Sequence, residues 1–299
     1  MNKNGKSPGI FPMQDFFPDT LPVPFYKMQG SGNDFVLILN DQLQLKRENM
    51  ALWAQKICQR SLGVGADGVI FLQADDLQEK GIDYKWHFFN SDGSRAEMCG
   101  NGSRCAAWLA YHLGLAGSSH VLGTDAGPVQ AHVNSEENQV KVQLTKPQDL
   151  CLDIQLPRPG QESLQVHYVN TGVPHVVYFS EDPSRLNIQE LAPGIRYHSR
   201  FAPQGTNVNL VGMKAPEHLY VRTYERGVEG ETLACGTGAA AAAVVARGLG
   251  LCGDQVQITT SGQEELAIFL HQDQVYLQGP AVLVFTGHLN PGAVQLKTN

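Results

Sequence analysis

CGNGSRCAAWLAYHLGL at residues 99–115 and CGTGAAAAAVVARGLGL at residues 235–251 are the two stretches of this sequence that decide the fold. When the chain is aligned with itself at an offset of 136 positions, the cysteine, both glycines, three alanines and the closing Leu-Gly-Leu coincide. At an offset of 135, QVKVQL at residues 139–144 aligns with QVYLQG at residues 274–279. Two unrelated alanine-rich helices would not also share the segments that follow them, so the chain is predicted to contain an internal duplication.

The duplication sets the predicted domain organisation. A length of 299 residues already favours two domains. Residues 1–22 contain four prolines and no sustained periodicity, which predicts a poorly ordered extension. The first domain is then predicted to span residues 23–146 and the second residues 147–280. Two homologous domains are expected to form a cleft between them.

Short segments typical of strands outnumber the helical windows. Strands are predicted at residues 35–39, 69–72, 164–169 and 218–224. Helices are predicted at residues 48–60, 102–113 and 238–249. This pattern indicates a β-rich α+β fold without a regular βαβ alternation.

Composition and charge exclude several classes of function. With 42% hydrophobic and 17% charged residues, the chain is an ordinary globular protein. Its net charge of -7 argues against a nucleic-acid partner. No apolar stretch approaches the ~20 residues needed to span a bilayer, and the N-terminus lacks the pattern of a secretory signal. We therefore expect a cytoplasmic protein with no membrane partner, whose six cysteines are reduced.

Cys99 and Cys235 are the two cysteines that the duplication repeats, and each precedes Gly-x-Gly at the start of a predicted helix. Unpaired N–H groups and the positive end of the helix dipole favour anions there, so the thiol pKa, about 8.5 when unperturbed, is expected to fall toward neutrality. The glycines allow backbone N–H groups to approach a carboxylate. If both repeats face one cleft, an acid and a base lie on opposite sides of one carbon, which suits epimerisation.

Other uses of cysteine are less favoured by the sequence. Four cysteines are not repeated and are predicted to be small buried apolar residues: Cys58, Cys105, Cys151 and Cys252. No metal site is predicted, because Cys99 and Cys105 are separated by five residues and no histidine cluster adjoins them. A binding protein without chemistry and a redox sensor that forms a disulfide both stay open, although the repeated cysteines disfavour a pure binder.

Six segments in a fixed order resemble the diaminopimelate epimerase family. They are KMQGSGNDFV (27–36), GVGADG (63–68), FNSDGSRAEMCGNGSRC (89–105), GVPH (172–175), GTNVNLV (205–211) and RTYERGVEGETLACGTGAA (222–240). Proline and hydroxyproline racemases resemble the chain less, because their first box usually reads CGHG where this chain has Asn101. The resemblance covers nearly the whole chain after residue 24.

The resemblance implies a fold, a reaction and partners. The implied fold has two pseudosymmetric α+β domains, each a curled, mostly antiparallel sheet around a central helix, with the active site in the interdomain cleft. Residues 281–299 would complete the first domain. The implied enzyme is an isomerase of lysine and peptidoglycan precursor synthesis that interconverts L,L- and meso-diaminopimelate, uses no cofactor and forms a homodimer.

The resemblance also implies roles for individual residues. Cys99 and Cys235 would be the acid–base pair, with His175 and Glu225 beside them setting their protonation. The implied substrate contacts are the backbone N–H groups of Gly100, Asn101, Gly236 and Thr237 at the reacting carboxylate, Asn33 at the reacting end, and Asn90, Asn207, Glu225 and Arg226 at the distal end. The chain departs from the family pattern at Gly68, where many members have Gln, and at Val173, where many have Asn.

Overall fold

A computed structural model describes residues 22–41, 43–74, 81–158 and 160–290 of the chain. The predicted N-terminal extension lies outside the described residues except for Pro22. Residues 291–299, predicted as part of the completion of the first domain, also lie outside them.

Strands dominate both halves of the chain. The first half contains β1 (Val23–Gly30), β2 (Asn33–Leu39), α1 (Arg47–Ile57), β3 (Gly68–Gln73), β4 (Tyr84–Asn90), α2 (Gly100–His112), β5 (Ser119–Thr124), β6 (Gly127–Asn134) and β7 (Gln139–Gln143). The second half contains β8 (Gln148–Arg158), β9 (Gln161–Asn170), β10 (Pro174–Phe179), α3 (Ile188–Arg196), β11 (Asn207–Ala215), β12 (His218–Glu225), β13 (Gly230–Thr232), α4 (Gly236–Gly248), β14 (Gln255–Thr260), β15 (Glu265–His271), β16 (Gln274–Pro280) and β17 (Val282–Leu289). The three predicted helices are confirmed as α1, α2 and α4, each starting one or two residues earlier than expected.

The two halves repeat one pattern of strand pairing. In the first half, β1 to β4 pair in sequence, β2 with β3 in parallel, and β5 follows β4 in parallel and continues into an antiparallel β5–β6–β7 meander. In the second half, β9 to β12 and then β14 to β16 pair in the same order and directions. Each parallel step crosses over through a helix, but antiparallel pairings separate these steps, so the chain has no regular βαβ alternation, as predicted. The sequence obscured these crossovers because α3 is short and contains Pro193.

The halves join where β7 pairs antiparallel with β16. Val142 pairs with Leu277, and the duplication aligns the same two residues with each other, so the pseudo-twofold axis passes between them. Beyond this junction the chain exchanges strands between the halves. β8 follows β7 but pairs with β9, and β17 follows β16 but pairs with β1.

The core is built around α2 and α4. One continuous cluster of buried residues includes both helices and the sheets of both halves. The alanines at positions 239–243 of α4 are all buried, because their small side chains allow the curled sheet to approach the helix closely. Smaller clusters lie under α1 and α3. Within the described ranges, no helix combines the length and the apolar character needed to cross a membrane.

Substitution of Leu277 tests whether the pseudo-twofold junction is part of the structural core. Its side chain is fully buried, and a Cβ added at Gly100 or Gly236 would lie 3.0 Å or 2.9 Å from its Cδ2 atom. Leu277→Ala is expected to lower the free energy of unfolding by about 2–5 kcal/mol, because it leaves a cavity beneath both helix N-termini. Chemical denaturation measures this, with Leu251→Ala, at a side chain 44% exposed, as the control. Equal stability of the two variants would contradict this account of the junction.

Candidate active site

A cavity of about 640 Å³ lies between the N-termini of α2 and α4 and is lined by both halves of the chain. Most of the predicted site residues line it, namely Asn33, Asn90, Cys99, Gly100, Asn101, Glu225, Cys235, Gly236 and Thr237. The predicted residues His175, Asn207 and Arg226 do not line it. A larger groove, of about 1030 Å³, lies along β5–β7 and β14–β16 and contains neither Cys99 nor Cys235.

Cys99 and Cys235 occupy the same position in their two helices, as predicted. Each is the N-cap residue with extended backbone, directly before the first residue of α2 or α4. The Cys99 sulfur also accepts a hydrogen bond from the N–H of Gly102 at 3.4 Å. The first N–H groups of each helix have no partner within the helix, so both helix ends present donors and a partial positive charge to the cavity.

The two glycines after each cysteine allow these helix ends to approach their neighbours. Gly100 and Gly236 pack on Leu277, as described above. A Cβ added at Gly102 would lie 3.2 Å from Ile70, and one added at Gly238 would lie 2.5 Å from the Asn209 side chain. The Gly-x-Gly pattern therefore places each helix N-terminus against both the junction and the sheet.

On the first-half side, Asn33 connects Cys99 to a polar network. The Cys99 thiol donates to Asn33 Oδ1 at 3.8 Å, and Asn33 Nδ2 donates to Asp67 Oδ2 at 2.6 Å. The same Asp67 oxygen accepts from the N–H of Asp34, whose carboxylate pairs with Lys27 at 2.6 Å. These contacts fix the Asn33 oxygen toward the thiol. Sequence reasoning missed Asp67, although it lies within the quoted GVGADG motif.

On the second-half side, Thr237 connects Cys235 to His175. The Thr237 hydroxyl oxygen lies 3.3 Å from Cys235 Sγ and 2.9 Å from His175 Nε2. His175 is fully buried, and burial, with a smaller contribution from Arg226, lowers its pKa to about 3. The imidazole is therefore neutral. Sequence reasoning assigned Thr237 only a backbone role and missed its hydroxyl.

The thiol pKa values differ from the sequence expectation. Burial raises the pKa of both cysteines, and it raises that of Cys235 to about 12 with a further contribution from the Glu225 carboxylate. Hydrogen bonds from backbone N–H groups lower both values, but less than burial raises them. The expected fall toward neutrality was wrong for this structure, because desolvation outweighs the helix ends. Both thiols are neutral at pH 7 in the absence of a ligand.

Glu225 and Arg226 are consecutive residues at the end of β12, but only Glu225 lines the cavity. Glu225 lines the cavity, and burial, more than the nearby Asp67, raises its pKa. The backbone N–H of Arg226 donates to Asn207 Oδ1 at 2.7 Å, while its guanidinium contacts the carbonyl of Gln204 at 3.5 Å. The Asn207 side chain thus fixes the backbone at the cavity wall.

The loop between β12 and β13 is held from outside the cavity by Glu229. Its carboxylate accepts hydrogen bonds from Arg196 at 2.9 Å, Tyr197 at 2.7 Å and the N–H of Gly227 at 3.1 Å. The Tyr197 hydrogen bond is the largest of the contributions that lower the pKa of Glu229 to about 2. These contacts anchor the loop to the C-terminal end of α3.

The other cysteines follow the prediction with one exception. All six cysteines are free, and Cys58, Cys105 and Cys252 are buried. Cys151 was predicted to be buried but is exposed on β8. The irregular pairing of β8 with β9 in this region accounts for the difference, because it breaks the regular alternation of buried and exposed positions.

The sequence matches a known family along most of its length. The family model for diaminopimelate epimerase matches residues 25–150 and 167–284. A diaminopimelate epimerase of Aquifex aeolicus is 45% identical over 278 residues, which cover 89% of this chain and 97% of the relative. One from a Hydrogenobaculum species is 44% identical and covers 88% of this chain and 97% of its own length.

Solved structures share the fold at low sequence identity. A phenazine biosynthesis protein of the PhzF family from Bacillus anthracis has a TM-score of 0.68 and 16% identity, covering 91% of this chain and all of its own. A hydroxyproline epimerase from Agrobacterium vitis has a TM-score of 0.62 and 13% identity, covering 92% of this chain and 96% of its own. The predicted fold of two pseudosymmetric, mostly antiparallel α+β halves is confirmed.

Glu225→Gln tests the electrostatic difference between the two thiols. The carboxylate of Glu225 disfavours the Cys235 thiolate, so its removal lowers the pKa of Cys235 and increases the thiolate fraction at any given pH. Alkylation of Cys235 by iodoacetamide, followed by mass spectrometry, is expected to be severalfold faster in the variant at alkaline pH. Cys99, where Glu225 is the smallest of the contributions to the thiol pKa, is the internal control. Slower or unchanged alkylation of Cys235 would show that Glu225 does not act through its charge.

Proposed function

The chain belongs to the diaminopimelate epimerase family, and we propose that it interconverts L,L-diaminopimelate and meso-diaminopimelate in lysine and peptidoglycan precursor biosynthesis. One observation carries the proposal. The two repeated cysteines cap two helices that point into one cavity, with Cys99 from the first half and Cys235 from the second. Such a pair supplies a base on one face of a carbon and an acid on the other.

In the proposed reaction, the thiolate of one cysteine removes the proton from the α-carbon. The C–H bond breaks as an S–H bond forms, and the electron pair is delocalised onto the adjacent carboxylate. The other cysteine then donates its proton to the opposite face, which inverts the centre and exchanges the protonation states of the two sulfurs. Donors aimed at the carboxylate stabilise its developing charge; we assign them to the backbone N–H groups of Gly100, Asn101, Gly236 and Thr237.

The thiolate has to form as the substrate binds, because burial keeps both thiols neutral. One thiol releases its proton to water, and the ammonium group of the bound zwitterion beside the sulfur favours the resulting thiolate. We assign Asn33 to the reacting end of the substrate, where its Oδ1 atom already accepts from Cys99. His175 and Glu225 then tune the thiols without contacting the α-carbon. The proposed reaction uses no cofactor.

The distal amino-acid centre provides specificity in this proposal. We assign its recognition to Asn90, Asn207, Arg226 and the backbone carbonyl of Glu225, which lie at the end of β4, the start of β11 and the end of β12. Arg226 does not line the cavity, so its guanidinium has to move inward to contact a substrate there. Val228 and Leu233 line the same cavity but are 62% and 61% exposed. Closure of the cleft would bury these two side chains and exclude water from the thiols.

We further propose that the enzyme is a homodimer in the cytoplasm. β17 pairs with β1 along one edge, and no described strand pairs with its other edge. Val282, Val284 and Phe285 on this strand are 36%, 54% and 47% exposed. They form a cluster of large apolar side chains whose exposure to water is unfavourable. A second copy pairing along the same edge would bury this cluster and satisfy the open backbone groups.

Turnover of L,L-diaminopimelate by reduced protein, followed by chiral separation, tests the proposed reaction. The wild-type protein is expected to form the meso isomer without added pyridoxal phosphate. Cys99→Ala and Cys235→Ala should each lower kcat by at least about 100-fold, because each removes one member of the acid–base pair. Cys151→Ala, at the exposed cysteine outside the cavity, is the control and should retain activity. Absence of meso product with reduced wild-type protein would contradict the proposed function, and normal turnover by either alanine variant would contradict the two-thiol mechanism.

Phe285→Asp tests the proposed dimer. A charge in the centre of the apolar cluster on β17 is expected to yield a monomer in sedimentation analysis, whereas the wild-type protein is a dimer. Leu62→Asp, at a side chain 81% exposed outside this cluster, should leave the dimer intact. A dimeric Phe285→Asp variant, or a monomeric wild-type protein, would contradict this interface.

A further inference from the structure

The two halves of the chain differ in what lies beneath their equivalent helix N-termini. Gly102 of α2 faces the apolar side chains of Ile70 and Trp86. Its counterpart Gly238 of α4 faces Asn209 Oδ1 and Thr223 Oγ1 instead. Asn209 is fully buried and Thr223 is 3% exposed. The groups that face Gly238 are therefore polar and buried, whereas those that face Gly102 are apolar.

These polar groups fix the orientation of the Asn209 amide. Thr223 Oγ1 donates to Asn209 Oδ1 at 2.9 Å, and Asn209 Nδ2 donates to the carbonyl of Val176 at 3.0 Å. A flipped amide would place its oxygen against that carbonyl oxygen. The NH₂ group of Asn209 therefore also faces His175 Nδ1, at 3.1 Å.

The orientation of Asn209 determines which nitrogen of His175 carries the proton. The imidazole is neutral, so one ring nitrogen is a donor and the other an acceptor. Nδ1 accepts from Asn209, which leaves the proton on Nε2, where it is donated to Thr237 Oγ1 at 2.9 Å. The second amide near the ring, Asn207 Nδ2, is 3.5 Å from Nε2 and donates to the carbonyl of Pro174 at 3.2 Å.

The hydrogen bond from His175 also determines the orientation of the Thr237 hydroxyl group. Its oxygen accepts from His175, so its own proton is free to point at the Cys235 sulfur, 3.3 Å away. The complete chain of donors runs from Asn209 through His175 and Thr237 to Cys235. The Cys99 thiol has the opposite role in its side-chain hydrogen bond, because it donates to Asn33 Oδ1.

We propose that Asn209 is a positioning residue that sets the direction of this hydrogen-bond chain, so that Thr237 donates to the sulfur of Cys235. The inference rests on the proposed function and deepens it. When Cys235 is a thiolate, the donated hydrogen bond stabilises the base. When Cys235 is protonated, the Thr237 oxygen does not compete for its S–H proton, which is left to point at the substrate carbon.

The other groups that face Cys235 make this hydrogen bond important. The Glu225 carboxylate on β12 and Cys99 at the start of α2 both disfavour the thiolate, as does burial. The Thr237 hydroxyl and the N–H of Gly238 favour it. Burial, with a smaller contribution from Arg226, lowers the pKa of His175 and keeps the imidazole neutral rather than positive. The hydroxyl is therefore the one side-chain donor among these groups that favours the thiolate.

Asn209→Asp tests the proposal because it keeps the shape of the side chain and reverses its polarity at His175. The carboxylate would accept from Nδ1, so Nε2 would accept from Thr237, and the hydroxyl would no longer donate to Cys235. Alkylation of Cys235 between about pH 8 and pH 10 is expected to be about tenfold slower, the loss of one hydrogen bond to a charged group. Cys99 in the same molecule should be alkylated at the wild-type rate.

A variant pair separates this positioning role from a merely structural one. In a Thr237→Val background the hydroxyl is absent, so Asn209→Asp should slow the alkylation of Cys235 no further. Thr237→Val alone should slow it about tenfold, and Thr237→Ser should restore the wild-type rate. These Thr237 variants test the chain even if Asn209→Asp does not fold.

Any of three results would overturn the proposal. Asn209→Asp could slow the alkylation of Cys99 and Cys235 equally, or it could slow the alkylation of Cys235 by the same factor with and without the Thr237 hydroxyl. Thr237→Val could also leave the alkylation rate of Cys235 at the wild-type value. Alkylation requires no substrate. Failure of the wild-type protein to form meso-diaminopimelate would thus contradict the proposed function and not the direction of the hydrogen-bond chain.

Discussion

The antiparallel pairing of β7 with β16 is the interaction on which the rest of the structure depends. It places Val142 opposite Leu277 on the pseudo-twofold axis and thereby brings the N-termini of α2 and α4 to the same side chain. Each helix contributes a cysteine as its N-cap, so the symmetry that joins the halves also brings both thiols to one cavity. β8 continues from β7 but pairs with β9, and β17 continues from β16 but pairs with β1, so the chain connects the two halves on both sides of the junction. The proposed reaction needs both repeats, because Cys99 comes from the first half and Cys235 from the second.

Burial governs the chemistry of that cavity. A helix N-terminus alone would favour thiolates, but desolvation exceeds this effect and leaves both thiols neutral in the free protein. In the proposed reaction, the substrate ammonium group beside the sulfur then favours the thiolate. The symmetry of the backbone does not extend to the hydrogen bonds, since Cys99 donates to Asn33 while Thr237 is positioned to donate to Cys235. Two equivalent positions thus have unequal hydrogen-bond surroundings.

The sequence predicted the duplication, the helix ends and the pair of cysteines because these depend on local patterns that repeat. It did not predict α3, whose nine residues include a proline, or the parallel crossovers that the helices make. The direction of the thiol pKa shifts depends on burial by residues distant in sequence, which no local motif encodes. The sequence was sufficient to predict that Asn209 lies near the site, because alternation along β11 places it on the same face as Asn207. Its contact with His175, however, depends on the pairing of β10 with β11.

The distribution of deuterium during turnover in D₂O tests the central claim most directly. Starting from unlabelled L,L-diaminopimelate, label would be measured separately in the remaining substrate and in the meso product at low conversion. Two thiols that do not share a proton should give product with one deuterium at the inverted carbon, while the recovered substrate stays unlabelled. Deuterium appearing in the recovered L,L isomer as fast as in the product would indicate a single base serving both faces, and would contradict an active site built from two opposed cysteines.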